Sequence, residues 1–281
     1  MTAVDQNDML SFFKMLRNQI GIDLNLDKEY LLVTRLTPLS RAHGYPDLAS
    51  YLKALTASGM VGALQQEAFE AMTTKETYFF RDLYPFEALK SEILPKIIEA
   101  KKRARQINIW SAASSTGQEA YSLAMLLNDQ FPQLQSWHVR ILGTDISEFA
   151  LKKARSGIYS TMEVERGLTP QQIKNHFTKQ NNNTFVLNDT VRKKVDFQLM
   201  NLNGNWLPMP PFDLVLIRNV LIYFDQVTKM NILRKIFPLL SENEGCLMLG
   251  ASESILENNP FKQVNLAKAS YYTVPKVLER V

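Results

Sequence analysis

Two carboxylates, an arginine and a threonine stand where side chains of their kind can hold a polar ligand. Glu119 follows the small-residue run Ala112 to Gly117 by two positions, which puts it in the first turn of a helix beginning at Gln118. An acidic residue there favours the positive end of the helix dipole and is placed to accept from an ammonium group. Asp145 lies at the end of the apolar run Val139 to Ile146, and a carboxylate at a strand end accepts two hydrogen bonds from a vicinal diol. Thr77 and Arg81 belong to TTKETYFFRD, Thr73 to Asp82, which joins three threonines to three consecutive aromatics. Linkers are seldom so aromatic. Each position also has a plain reading. The loop before Glu119 can be a junction packed tightly for its own sake, and Asp145 a turn or cap residue. Tyr78, Phe79 and Phe80 can pin two parts of the chain together while Arg81 pairs with a carboxylate.

The elements that must hold these groups follow from periodicity. Gln106 to Ser111 alternates as a short strand, six small residues follow, and an apolar-periodic helix starts at Gln118. Such a strand, turn and helix aims unpaired backbone N–H groups at whatever sits above the strand's end. Only Gly117 in the loop is a glycine, so the dinucleotide fingerprint G-x-G-x-x-G is absent. The spacing to Asp145 is 145 − 117 = 28, longer than the roughly 20 of that fingerprint, and calls for a long first helix or an extended loop. Ser147 is set to cap the next helix. Val195 to Met200, Phe212 to Ile217, Gly245 to Ala251 and, after the polar connection Glu253 to Lys268, Ala269 to Val274 read as further strands, with Arg218 and Asn219 at the end of the second and Asp225 capping the helix after it. Strands and helices thus alternate as in an α/β protein with a parallel, doubly wound sheet.

Two segments stand apart. From Asp8 to about Glu70 the apolar residues fall at helical spacing, as in Phe12, Phe13, Leu16 and Ile20, with Gly21, His43 to Pro46 and Gly59 as punctuation. This is a helical domain, whose middle helix carries Arg35 and Arg41 on a polar face with Lys28 upstream. That face is either simply solvated or a docking face for an acidic helix. Tyr159 to Val195 reads as an inserted subdomain, with a helix signal at Thr169 to Phe177, a polar turn Asn181 to Asn183, and strand-like pieces at Phe185 to Leu187 and Val191 to Val195.

With 281 residues, 46% of them apolar, the chain has room for one large or two modest domains. No stretch approaches the roughly 20 apolar residues of a membrane span, and the first residues lack the features of a signal peptide, so a cytoplasmic protein without membrane insertion is expected. The single cysteine, Cys246, excludes an intrachain disulfide and a cysteine zinc site. A formal charge of +4 permits an acidic partner and does not favour nucleic acid. The basic run Lys101 to Arg105 reads as a solvated helix end.

TTKETYFFRD, WSAASSTGQEAYSLAM, GTDISEFALKKARSGIY, the pair Asn201-Leu202 and FDLVLIRNVLIYFD occur in this order, and in that order they closely resemble the CheR family of chemotaxis-receptor glutamate O-methyltransferases. The resemblance covers essentially the whole chain, and its first and last blocks are not shared by most other methyltransferases. It implies an all-α N-terminal domain over 1–72, a connecting segment 73–88 that contributes to the cofactor site, and a Rossmann-like S-adenosylmethionine-dependent methyltransferase domain over 89–281. The last carries a sheet ending in a reversed strand and a small inserted β-subdomain at about 159–195.

The activity implied is methyl transfer from S-adenosylmethionine to glutamates of methyl-accepting chemotaxis receptors, in their cytoplasmic helical bundle, with S-adenosylhomocysteine as product and no metal. Motif by motif, Thr77, Arg81, Glu119, Asp145, Asn201, Leu202, Ile217 and Arg218 fall on cofactor contacts. Tyr223 and Arg81 fall on the methyl-transfer site, and the basic residues Arg35 and Arg41 of the helical domain are expected to meet the acidic receptor helix bundle. Three positions depart from the family pattern. Lys75 stands for a usual Asn, Gln118 for the first Glu of GEE, and Ser114 for a frequent Cys or Ala. The Gln180 to Thr184 turn is short and has no glycine, which implies receptor recognition without a C-terminal pentapeptide. The rivals are a non-catalytic S-adenosylmethionine-binding regulator of the same fold and a methyltransferase for another substrate such as RNA or a small molecule. The N/D-P-P-Y type of motif expected of the latter is replaced here by Ile217-Arg218-Asn219-Val220. A NAD-dependent oxidoreductase lacks its three-glycine loop.

Overall fold

The computed structural model describes residues 4–57, 61–180, 183–242, 245–255, 259–266 and 269–275. Gly59, Asn181, Asn182 and Lys268, used above as punctuation or turn residues, lie outside them. In chain order the elements are α1 (Gln6–Ile20), α2 (Glu29–Ala42), α3 (Leu48–Ala57), α4 (Ala63–Met72), α5 (Tyr84–Ala88), α6 (Leu94–Lys101), β1 (Gln106–Ala112), α7 (Gln118–Gln130), β2 (His138–Asp145) and α8 (Glu148–Ser156). They continue with β3 (Ile158–Ser160), α9 (Thr161–Glu165), α10 (Pro170–His176), β4 (Phe177–Lys179), β5 (Thr184–Leu187), α11 (Asp189–Arg192), β6 (Val195–Leu199), β7 (Leu214–Ile217), α12 (Gln226–Ile236), β8 (Cys246–Leu249), β9 (Lys262–Asn265) and β10 (Ser270–Thr273).

The chain forms two compact units. One comprises Met1–Thr74, Asn201–Asn205 and Ile222–Ile232; the other comprises Lys75–Met200, Trp206–Leu221 and Leu233–Val281. In the first, α1 starts where the Asp5 side chain accepts from Asn7 N at 2.7 Å and ends at Gly21 in the left-handed region. The apolar stripe of α1, Phe12, Phe13 and Leu16, is buried together with Leu32, Leu36, Tyr51, Leu52, Leu55 and Phe69. Arg17 pairs with Asp225, whose carboxylate accepts from Thr228 N at 2.7 Å and caps α12.

The second unit is built on a seven-stranded sheet of order β6-β2-β1-β7-β8-β10-β9. β6, β2, β1, β7 and β8 are parallel, and β10 runs against both of its neighbours. Leu214 to Ile217 and Cys246 to Leu249 are buried along their whole length, as strands covered on both faces must be. A smaller sheet, β3-β5-β4, is fully antiparallel. Phe79 is completely buried against its aromatic residues, with ring centroids 5.1 Å from Tyr159 and 5.6 Å from Phe177.

Several local expectations change. Val191 to Val195 is not a strand: Asp189 to Arg192 is a helical turn started at Asn188, and only Val195 joins the sheet. The small sheet takes β3 and β4 instead, each three residues long and too short to reveal a period. The polar connection before the last strand contains β9. Lys101 is not merely solvated, since its ammonium lies 2.7 Å from the buried carboxylate of Asp213.

Candidate active site

Ala112 of β1 pairs with Thr144 on one side and Ile217 on the other, so the carboxyl ends of three parallel strands lie side by side. In an open α/β sheet this is where ligands bind. Backbone strain collects at the same end. Ala113 and Ser115 after β1, Asn219 after β7, and Phe80, Asp82 and Leu83 in the aromatic segment all have φ between 32° and 66°. Non-glycine residues take such values only where their surroundings impose them, and functional sites are the usual place. Gly117, φ 94°, starts α7 without a side-chain cap. A Cβ there would lie 2.9 Å from the Ala154 Cβ and 3.1 Å from the Phe197 ring, so its glycine is demanded by protein packing as well as by φ.

Glu119 lies in the first turn of α7, as its position in the sequence requires. Its Oε1 accepts from Ser111 Oγ at 2.8 Å, and its Oε2 from Arg218 Nη1 at 2.9 Å. Arg218 Nη2 donates in turn to the Arg81 carbonyl and to Asp82 Oδ2, both at 2.9 Å. The Arg218 side chain is 1% exposed. One guanidinium between two carboxylates leaves this cluster a formal charge of −1, which a ligand ammonium would neutralise.

Asp145 ends β2 half-buried, with Oδ2 accepting from Ser115 N at 2.8 Å and Oδ1 from Ser147 N at 2.9 Å. It therefore braces the loop after β1 and keeps acceptor capacity, because a carboxylate offers about four lone-pair positions. Burial pushes its pKa up; the Ser147 and Ser115 N–H groups and the Lys75 ammonium pull the other way without cancelling the rise. Lys75 is joined to the same loop, its carbonyl accepting from Ser115 Oγ at 3.0 Å.

Among the described residues Arg81 pairs with no carboxylate. Its Nη1 donates to the Glu76 carbonyl at 2.6 Å, and Tyr78 lies under its guanidinium at 5.7 Å. Thr77 is half-buried in the same segment, and the Ile217 side chain is fully buried in the core. Asn201, Leu202 and Tyr223 belong to the other unit. There Asn201 Nδ2 donates to the Gln19 carbonyl at 2.7 Å, and the Tyr223 carbonyl accepts from Asp23 N at 2.9 Å. In that unit Arg35 donates to the Met72 carbonyl at 2.6 Å and to Thr74 Oγ1 at 3.1 Å, while Arg41 is exposed.

Two acidic residues of the site escaped the sequence reading. Asp82 sat inside a quoted block, with nothing to mark it as the partner of Arg218. Glu253 lay in a connection read as merely polar, yet its carboxylate accepts from the backbone N–H of Asn219, Val220 and Gly250 at 2.7 to 3.0 Å. The Asp82 pair with Arg218 and the Glu253 bonds to Asn219 and Val220 are long-range, so no local pattern carries them.

Residues 75–270 match the family model described as CheR methyltransferase, SAM binding domain, and residues 7–73 match the one described as CheR methyltransferase, all-alpha domain. The chain belongs to the CheR methyltransferase family. Among its relatives, "Chemotaxis protein methyltransferase" of Vibrio parahaemolyticus is 38% identical over 260 residues, 91% of this chain and 92% of that one. "Chemotaxis protein methyltransferase 1" of Pseudomonas aeruginosa is 37% identical over 252 residues, covering 88% and 90%. "Chemotaxis protein methyltransferase" of Escherichia coli is 36% identical over 247 residues, covering 86% and 82%.

The cofactor of this CheR methyltransferase is S-adenosylmethionine, and the residues present fit it. The site offers a net negative cluster for an ammonium and a carboxylate with spare acceptor capacity for a diol. It also holds three buried polar atoms without hydrogen-bond partners among the described residues, Ser114 Oγ in the loop, Arg81 Nε in the aromatic segment and Arg218 Nε at the end of β7. Such atoms are costly unless a ligand completes them. Among the described residues no group of three or more His, Cys, Asp or Glu could hold a metal ion, and no helix is long and apolar enough to cross a membrane.

The raised pKa of Asp145 yields a pH prediction. A carboxyl whose pKa is raised on folding contributes stability at low pH that is lost as pH rises through the folded value. For ligand binding the sign is reversed, because a diol needs the ionised acceptor. Affinity for S-adenosylhomocysteine, measured by calorimetry, is expected to be level above the Asp145 pKa and to fall about tenfold per pH unit below it. The fall begins above the ordinary aspartate range. Asp145→Asn should bind more weakly with a flat profile; a sloping profile in that variant would assign the titration to another group.

Proposed function

We propose that this chain transfers a methyl group from S-adenosylmethionine to glutamate side chains in the cytoplasmic helical bundle of chemoreceptors, giving glutamate methyl esters. The observation that carries this reading is the pair of anchored carboxylates, Glu119 in the first turn of α7 and Asp145 at the end of β2, in a chain whose relatives are named chemotaxis protein methyltransferases. With it go the division into a helical domain 1–72, a connecting segment 73–88 and a cofactor domain 89–281 with its insertion at about 159–195.

When bound, the cofactor supplies a methyl group made electrophilic by its sulfonium sulfur. Glu119 takes the ammonium of its methionine end and Asp145 the ribose hydroxyls, with Thr77, Arg81, Asn201, Leu202, Ile217 and Arg218 completing the contacts. A glutamate acceptor is ionised at neutral pH and needs no general base. The protein's task is alignment and exclusion of water. Arg81 and Tyr223 serve it by orienting the reactants; an arginine bonded tightly to the attacking carboxylate would stabilise the ground state and slow the step. Arg35 and Arg41 contribute to the receptor-docking face, with Arg35 also tying α2 to the end of α4.

Receptor recognition is independent of a C-terminal pentapeptide on this reading. The support is the short glycine-free turn Gln180 to Thr184, closed by Gln180 N donating to the Thr184 carbonyl at 2.8 Å. Incubation with methyl-labelled S-adenosylmethionine and a purified chemoreceptor cytoplasmic domain should give base-labile label on glutamate. The rate should be equal with the receptor's last five residues removed. Base-stable label, or none, would overturn the proposed acceptor; a strong loss on truncation would overturn the docking mode alone.

A further inference from the structure

We propose that Arg218 is a positioning residue for Arg81: by bonding the main chain of the Phe80 to Leu83 turn, its guanidinium sets the direction in which the Arg81 side chain leaves it. The turn needs such a hold. Phe80, Asp82 and Leu83 have φ of 50°, 66° and 32°, a region that residues with a Cβ enter only when their neighbours over-determine it. Local bonds supply part of the constraint. Phe80 N donates to Ser122 Oγ at 2.9 Å, Leu83 N to the Phe80 carbonyl at 3.1 Å, and Tyr84 N to the Asp82 carbonyl.

Arg218 supplies the rest from the end of β7. Its Nη2 reaches the Arg81 carbonyl and the Asp82 carboxylate together, its Nη1 holds Glu119, and Phe86 lies under its guanidinium at 5.7 Å. A planar fork with two nitrogens joins three groups in one plane; a lysine ammonium is a compact point charge on a flexible stem and cannot reproduce that geometry. With every Nη bond directed to protein, the two Nη groups act through Arg81 and Glu119, and contact with the cofactor falls to the rest of the residue, including its Nε, which has no acceptor among the described residues. This rests on the reading of Arg81 as a residue of the transfer site.

The test uses Arg218→Lys, Arg81→Ala and the double variant in the full-length chain. Lysine keeps a positive charge beside Glu119. Amide hydrogen exchange of the peptide spanning 80–84 should quicken at least about tenfold in Arg218→Lys, because its protection depends on the held turn. Turnover at saturating cofactor should fall about thirtyfold where Arg81 is present and less than about twofold where it is alanine, with any loss of S-adenosylhomocysteine affinity smaller than the turnover loss and equal in the two backgrounds. Equal turnover losses in both backgrounds, unchanged exchange, or an affinity loss as large as the turnover loss would each overturn the proposal, the last by tracing the effect to Glu119. Should Arg218→Lys fail to fold, Asp82→Ala removes one arm of the fork with Arg218 in place and should quicken the same exchange. Exchange needs no methyl acceptor, so it reads out even if the glutamate assignment fails.

Discussion

Glu119→Gln should weaken binding of S-adenosylhomocysteine about a hundredfold and leave binding of 5′-methylthioadenosine, which lacks the amino-acid portion, within about threefold. The substitution is nearly isosteric and can keep the Ser111 contact, so what it removes is the charge. A hydrogen bond to a charged group contributes about 1.5 to 3 kcal/mol, and a hundredfold is about 2.7 kcal/mol, so a single ammonium contact accounts for the whole effect. Stability should fall as well. Arg218 is buried between Glu119 and Asp82, and removing one partner of a buried pair costs about 3 kcal/mol or more. A melting-temperature decrease of about 6 to 12 °C is expected for a unit of this size. Equal weakening of both ligands in calorimetry would mean that Glu119 only shapes the pocket, and the methionine end would need another holder.

Gly167→Ala is expected to be the most damaging single-atom change in the aromatic segment's seat. Gly167 has φ 103°, and a Cβ there would lie 1.9 Å from the Phe79 carbonyl oxygen and 2.9 Å from its carbon. The obstruction is backbone, so no side chain can swing away from it. Left-handed strain at about 1 to 2 kcal/mol and overpacking at about 1 to 3 kcal/mol together give about 2 to 5 kcal/mol. That corresponds to a melting temperature lower by about 10 °C. Because Phe79 is adjacent to Phe80 and two residues from Arg81, turnover should fall together with stability. A calorimetric melt within about 2 °C of the parent would mean that the backbone approach relaxes freely and that the segment is not held from this side.

The elements that frame the site were legible because their signals are local. A strand period, six small residues and an acidic first helical turn lie within a few residues of one another, and β1, the loop and α7 fall where that pattern puts them. The helix caps at Ser147, Thr169 and Asp225 are equally local, each side chain accepting from a backbone N–H three residues on. Where the pattern was too short or too polar, the reading failed. β3 and β4 have three residues each, and β9 is an edge strand whose residues are largely exposed, so its pairing with β10 leaves no apolar trace.

Periodicity and residue spacing by themselves determined the parallel sheet and the two carboxylates beyond the carboxyl ends of its strands, and the resemblance of whole sequence blocks to the CheR family supplied the cofactor. Only the tertiary structure decided what those groups are bonded to. Arg218 looked like a ligand contact, and its Nη bonds go to Glu119, Asp82 and the Arg81 carbonyl, 99 to 137 positions away. Asp145 looked like a diol acceptor and is also the brace of the loop beside it; Glu253, unremarked in its polar connection, holds the turn after β7. Helical and strand periods and caps are written in neighbouring residues. The pairing of buried charges depends on which distant segments the sheet topology brings together, and no window along the chain contains that.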